Sequence, residues 1–224
     1  MNLRKYIDKS DFEALENEIY IWFFKNDNSP KLITKKEIAK SEGLSKKRKT
    51  RFCFSRGCAR LALSQLLSMH PLEVPLVANP GEPPILEEGF GNISFSYSKD
   101  TFLLAWSSEK IGIDFEFKNR KIKNRNNFQK FIFREGESIS KNLKYYSNSY
   151  LLTHWVLKES AIKWDKGTLL SDIFNWSVKD NLKIAINKKL NIKVPTKFLL
   201  HRNYYIGIAN NKINSKDVKV ILRN

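Results

Sequence analysis

The segment Ile111-Gly-Ile-Asp-Phe-Glu-Phe117 alternates strictly. At a period of two, Ile111, Ile113, Phe115 and Phe117 share one face of a strand, while Gly112, Asp114 and Glu116 share the other. The apolar face demands burial. The other face sets two carboxylates side by side, with a glycine leaving room next to them. Like charges this close repel unless a cation lies between them. Hard oxygen donors of this kind suit Mg²⁺, which takes one or two carboxylates together with phosphate oxygens and water. By itself the pattern also describes a half-exposed strand with a polar outer face, and short matches of this sort arise often by chance.

A second segment, Trp155-Val-Leu-Lys-Glu-Ser-Ala-Ile-Lys163, lies within Leu151 to Trp164, which reads as an amphipathic helix. Trp155, Glu159 and Lys163 are spaced i, i+4 and i+8 and share a face. Glu159 and Lys163 stand in the order of an ordinary surface pair, worth about 0.3 kcal/mol. Near the strand they would do more. Glu159 would complete a metal site or act as a general base, and Lys163 would neutralise a phosphate.

These carboxylates stand out against 40 basic and 23 acidic residues, a net charge of +17. Such an excess favours nucleic acid, acidic protein, polyphosphate or a membrane surface without choosing among them. Compositional drift in Asn/Lys/Ile-rich stretches explains it equally well. Hydrophobic residues make up 42% of the 224, enough for a core and against global disorder. Cys53 and Cys58, five apart on an expected helix, point in different directions and form no disulfide framework or zinc spacing. The N-terminus lacks an apolar signal core, and no apolar run approaches membrane-spanning length. A cytoplasmic location and no membrane partner are expected.

Along the chain, Glu18 to Phe24 reads as a buried strand. A helix is expected from Ser45, its cap, with breaks to about Met69. Lys46, Lys47, Arg48 and Lys49 oppose its dipole; they form a solvated basic face or hold an anion over the turn. Pro71 to Pro84 excludes a continuous helix. Asn92 to Ser98 alternates serines with Ile93, Phe95 and Tyr97. Thr101 to Trp106 and Ile111 to Phe117 are expected to form a hairpin across Ser107 to Lys110. A loop runs from Lys118 to about Asn127, and further strands are expected at Lys183 to Ile192, Tyr204 to Ala209 and Val218 to Leu222. A faint two-fold order of helix and paired strands suggests halves at 1–108 and 109–224, packed together because no linker divides them. His70, His154 and His201 are scattered, and nucleophile elbows, Walker loops and ribonucleoprotein motifs are lacking.

Five segments in order carry a resemblance: Ser55-Arg56 opening an Arg/Leu-rich helix, Gly81-Glu-Pro83, Asn92-Ile-Ser-Phe-Ser96, Ile111-Gly-Ile-Asp-Phe-Glu116, and Trp155-Val-Leu-Lys-Glu-Ser-Ala-Ile-Lys163. Over roughly residues 20 to 210 the chain resembles the 4′-phosphopantetheinyl transferases, of the monomeric pseudodimeric type that serves natural-product biosynthesis by activating peptide and polyketide synthases. The resemblance implies an α+β fold, with two similar α/β halves forming an intramolecular pseudodimer around a cleft that holds the active site. The first half would contribute to coenzyme A binding, and the second would supply the metal carboxylates and catalytic helix. It implies coenzyme A as donor, Mg²⁺ as cofactor, a serine of an acidic acyl or peptidyl carrier protein as acceptor, and release of 3′,5′-ADP. Asp114, Glu116 and Glu159 would hold the metal. Glu159 would deprotonate the carrier serine, and Lys163 would contact the phosphates and stabilise the leaving group. Arg56 and Ser94 would bind the nucleotide end of coenzyme A, and Lys158 joins Lys163 among the cofactor-binding residues. Two positions depart from the family: Phe95 stands in place of its usual histidine, and Glu82 in place of its usual lysine. Both changes remove phosphate contacts and imply weaker coenzyme A binding. The alternatives are a non-catalytic coenzyme A- or nucleotide-binding relative and a basic nucleic-acid-binding protein; bare carboxylates repel phosphate and speak against the latter.

Overall fold

The computed structural model describes residues 15–27, 29, 31–133, 147–179 and 181–223. The N-terminal segment read for a signal lies outside them. The protein is mixed α+β, and its described residues divide into two compact units. One comprises residues up to 109 together with 217–223, the other 110–216. The last strand, expected with the second half, therefore belongs to the first unit.

In the first unit, aromatic and β-branched residues make β1 (Glu18–Lys25) a strand buried on both faces. A short helix, α1 (Lys35–Ser41), precedes the long α2 (Lys46–Leu66). After a two-stranded ribbon, β2 (Leu76–Val77) with β3 (Ile85–Leu86), come β4 (Asn92–Ser98) and β5 (Thr101–Ser107). The main sheet runs β11-β1-β5-β4, where β11 is Asp217–Arg223. β1 pairs antiparallel with β5, Trp22 opposite Leu104, and parallel with β11. Phe54, Cys58, Ala59, Ala62 and Leu63 of α2 share a core with Trp22, Phe24, Phe102, Leu104 and Trp106.

The second unit opens with β6 (Ile111–Phe117), then α3 (Arg125–Ile132), the long α4 (Asn148–Trp164) and a single turn, α5 (Leu169–Asp172). Four strands follow: β7 (Trp176–Val178), β8 (Ile184–Asn187), β9 (Ile192–His201) and β10 (Tyr204–Asn210). Their sheet order is β6-β10-β9-β8-β7. Val156, Ala161, Ile162 and Trp164 of α4 pack with Trp176, Ala185, Val194 and Ala209. The units share an order of elements. A strand, a long helix and a hairpin follow one another, and the hairpin's second strand pairs antiparallel with the opening one: β1-β5-β4 and β6-β10-β9.

Several expectations give way. The hairpin across Ser107 to Lys110 does not form, since β5 pairs with β1 and β4 while β6 pairs with β10. That turn lacks the Gly or Asn that a tight hairpin requires, and each strand finds a long partner elsewhere. α2 is continuous, and Ser45 sits at its N-cap without a side-chain hydrogen bond. The capping box Thr34–Glu37 starts α1, which went unread, and α3 begins inside the expected loop. Lys183 to Ile192 is two strands joined by a turn. On β4 the serines are buried, whereas Phe95 and Tyr97 are only half-buried. Among the described residues no helix is long and apolar enough to cross a membrane.

Candidate metal and phosphate site

Two glycines set the distance between α4 and its sheet. A Cβ on Gly112 of β6 would lie 2.0 Å from the Ser160 carbonyl oxygen and 2.3 Å from the Trp164 nitrogen. A Cβ on Gly207 of β10 would lie 2.3 Å from the Val156 carbonyl oxygen. The helix backbone thus rests directly on the sheet at both points, closer than any side chain permits. Gly207 stands opposite Asp114 in the ladder, so the same contact brings α4 over the carboxylate strand. The helix is buried almost all round, not on one stripe as an amphipathic reading expects. Glu159 and Lys163 are its partly exposed positions next to β6.

The three carboxylates belong to one cluster. Lys163 Nζ donates to Asp114 Oδ1 at 2.7 Å and lies 3.8 Å from Glu159 Oε2. Asp114 is buried, and the Glu159 and Glu116 side chains are largely so. Arg120 donates through a guanidinium N–H to Glu116. Burial above all, and then the negative charges of Asp114 and Glu116, push the Glu159 carboxyl from its ordinary 4.5 up to about 8, against the pull of Lys163 and Arg120. Crowded like charges are the condition that a bound cation relieves.

Among the described residues no three His, Cys, Asp or Glu side chains are already set to hold a metal ion. Here the carboxylates are turned toward Lys163 and Arg120. In kind, the donor set fits a hard divalent cation: three carboxyl ligands from two neighbouring elements, held together by a glycine-lined contact.

Lys158, expected to bind the cofactor, is buried and its ammonium donates to the Ile132 carbonyl. It also lies 5.7 Å from the Phe133 ring. The lysine ties α3 to α4, which a sequence cannot reveal because its partner is a backbone oxygen 26 residues away. His154, on the reverse side of the helix, packs against Tyr150 and Phe133.

In the first unit, Arg56 is buried. Its guanidinium donates to the Ala78 carbonyl at 3.0 and 2.7 Å, to the Asn79 carbonyl at 3.3 Å and to Ser55 Oγ at 3.0 Å. Asn79 in turn donates to Glu82 at 2.6 Å. The half-buried Phe95 packs edge-on against Phe102, with the Arg56 guanidinium 5.6 Å from its ring. So Arg56, the Gly81-Glu-Pro83 loop and Phe95, which are far apart in sequence, form one neighbourhood. Ser94 is buried on the same strand, opposite Ala105. Arg56 serves as an anchor for the loop before it can serve any ligand.

Sequence reasoning missed Arg120 and Gly207. Arg120 follows Glu116 by four residues across a strand end, where that spacing carries no helical signal. Gly207 gains its meaning only from its register against Asp114. Comparison with protein-family models and with curated proteins finds no match to this chain.

Proposed function

We propose that the protein transfers the 4′-phosphopantetheine arm of coenzyme A to a serine of an acyl or peptidyl carrier protein. The observation that carries this reading is the Asp114–Glu116–Glu159 cluster, with Lys163 bridging Asp114 and Glu159 on the two motif-bearing elements. The shared β-helix-hairpin order of the two units supports the further proposal that they are the related halves of an intramolecular pseudodimer. A divalent cation, when bound, supplies charge neutralisation at the diphosphate. The residues do the rest. Asp114, Glu116 and Glu159 provide oxygen ligands. The carrier serine oxygen forms a bond to the phosphorus bearing the pantetheine arm, and its proton passes to Glu159 directly or through water. The bond from that phosphorus to the bridging oxygen breaks, and the electron pair leaves on 3′,5′-ADP, whose charge Lys163 meets. The surplus of positive charge suits an acidic carrier and would speed encounter in a salt-dependent way.

The test is incubation with coenzyme A, Mg²⁺ and a panel of carrier proteins, followed by mass measurement. A mass gain of one phosphopantetheine on the carrier is expected. No gain on any carrier, with coenzyme A bound, would identify the second reading, a nucleotide-binding relative without transfer. That reading draws on the engagement of Arg56 and Lys158 with backbone carbonyls and on Phe95 and Glu82 at family phosphate positions. Salt-sensitive nucleic-acid binding without coenzyme A affinity would overturn both.

A further inference from the structure

Arg120 lies outside every motif, yet it is built into the site. It pairs with Glu116, and its guanidinium lies 5.4 Å from the Phe128 ring centroid and 5.7 Å from that of Trp155. Those two rings lie 5.1 Å apart with their planes tilted by 43°. They make an aromatic seat that keeps a planar cation at the cluster. Trp155 Nε1 is buried with no hydrogen-bond partner among the described residues, a donor still lacking an acceptor.

Among the described residues, the cluster comprises three carboxyls and two cations, Arg120 and Lys163, so it carries no net positive charge, and one net negative charge once all three carboxyls are ionised. Both cations are engaged by carboxylates. A phosphate arriving at this state meets cations already paired with carboxylates and no surplus of positive charge.

We infer that Arg120, together with Lys163, makes anion binding at this site conditional on a divalent cation. The inference rests on the proposed metal-binding role of the three carboxylates. With the cation in place, the same groups sum to one net positive charge, and Glu116 and Asp114 have another partner. Arg120 and Lys163 then become available to a diphosphate. The guanidinium offers paired N–H donors that match two phosphate oxygens, which an ammonium cannot do. Arg120 is thus a positioning and coupling residue: it competes with the cation for Glu116 and cooperates with it for the anion. By linkage, each ligand strengthens the other by the same factor, and couplings of this kind run from about fivefold to about 150-fold.

The experiment measures two affinities in the wild type, Arg120→Gln and Arg120→Lys. Mn²⁺ binding to metal-free protein is followed by electron paramagnetic resonance. Inorganic pyrophosphate binding is followed by calorimetry, with Mg²⁺ and in EDTA. Wild type is expected to bind pyrophosphate at least about tenfold tighter with Mg²⁺. Arg120→Gln removes the competitor from Glu116, so Mn²⁺ binds about three- to tenfold tighter, while pyrophosphate with Mg²⁺ binds about tenfold weaker. Arg120→Lys restores the wild-type direction of both. These opposite shifts are the signature, because a merely structural role weakens both affinities together. Parallel weakening in Arg120→Gln, equal pyrophosphate binding with and without Mg²⁺, or no Mn²⁺ binding to wild type would each overturn the inference. If the opposite shifts appear but no carrier gains mass, the transferase reading falls alone. If carriers gain mass but the shifts are absent, the coupling inference falls alone.

Discussion

Gly112→Ala probes the contact on which the whole site depends. The new Cβ would lie 2.0 Å from the Ser160 carbonyl oxygen and 2.3 Å from the Trp164 nitrogen. Both are helix backbone, so no rotamer change relieves the clash. Restoring ordinary contact requires α4 to retreat by about 1.4 Å. A radial gap half that size already forfeits about a quarter to a half of the dispersion attraction across it. Leu151, Val156, Leu157 and Ala161 are fully buried on this helix, so the loss is shared among several large contacts. A destabilisation of roughly 3 kcal/mol is expected, at the high end for overpacking. With a urea slope of about 2 kcal/mol/M, the midpoint would fall by about 1.5 M. Urea unfolding followed by tryptophan fluorescence reads this directly, since Trp155, Trp164 and Trp176 all lie in the second unit. Gly43→Ala is the control, because nothing lies within 4 Å of its would-be Cβ. A loss below about 1 kcal/mol for Gly112→Ala, with Mn²⁺ binding intact, would refute the argument that glycine sets the helix-to-sheet distance.

Three other perturbations follow from particular contacts. In EDTA, stability should fall as pH rises from 4.5 toward about 8, because the folded chain keeps a proton on Glu159 that the unfolded chain has lost. Glu159→Gln should flatten that limb of a melting-temperature profile and Mg²⁺ should offset it; profiles that run parallel in wild type and variant would contradict the assignment. Lys158→Met should cost about 1–3 kcal/mol by orphaning the Ile132 carbonyl while leaving coenzyme A affinity unchanged, and a lowered affinity in an equally stable variant would return Lys158 to the binding site. Phe95→His places a second polar group beside Arg56 and should tighten coenzyme A binding by calorimetry; unchanged affinity would remove position 95 from the phosphate site.

What the chain discloses locally and what it withholds differ by physical cause. Strict alternation identified β6 and its carboxylate face, because period-two burial is written in consecutive residues. The helix carrying Glu159 was legible too, although its burial on nearly every side hid behind a mixture of Lys, Glu and Ser. On β4 the alternation separates serines from Ile93, Phe95 and Tyr97 without saying which face is covered, and all three serines are buried. Pairing was the hardest to read. Ser107 to Lys110 is short enough to suggest a hairpin, yet each flanking strand pairs with a distant segment, which no local window contains. Arg56 and Lys158 show a related limit. A buried cation near a motif invites a ligand-binding role, but backbone carbonyls satisfy both, and carbonyls are present at every residue and leave no trace in a sequence.

The central claim is that Asp114, Glu116 and Glu159 share a divalent cation with the diphosphate of coenzyme A. Crystals grown with Mn²⁺ and coenzyme A test it through the anomalous signal of manganese. A single peak at about 2.1 Å from an oxygen of each carboxylate, and in contact with the diphosphate, is the expected result. Coenzyme A bound with no manganese among these three side chains would contradict it.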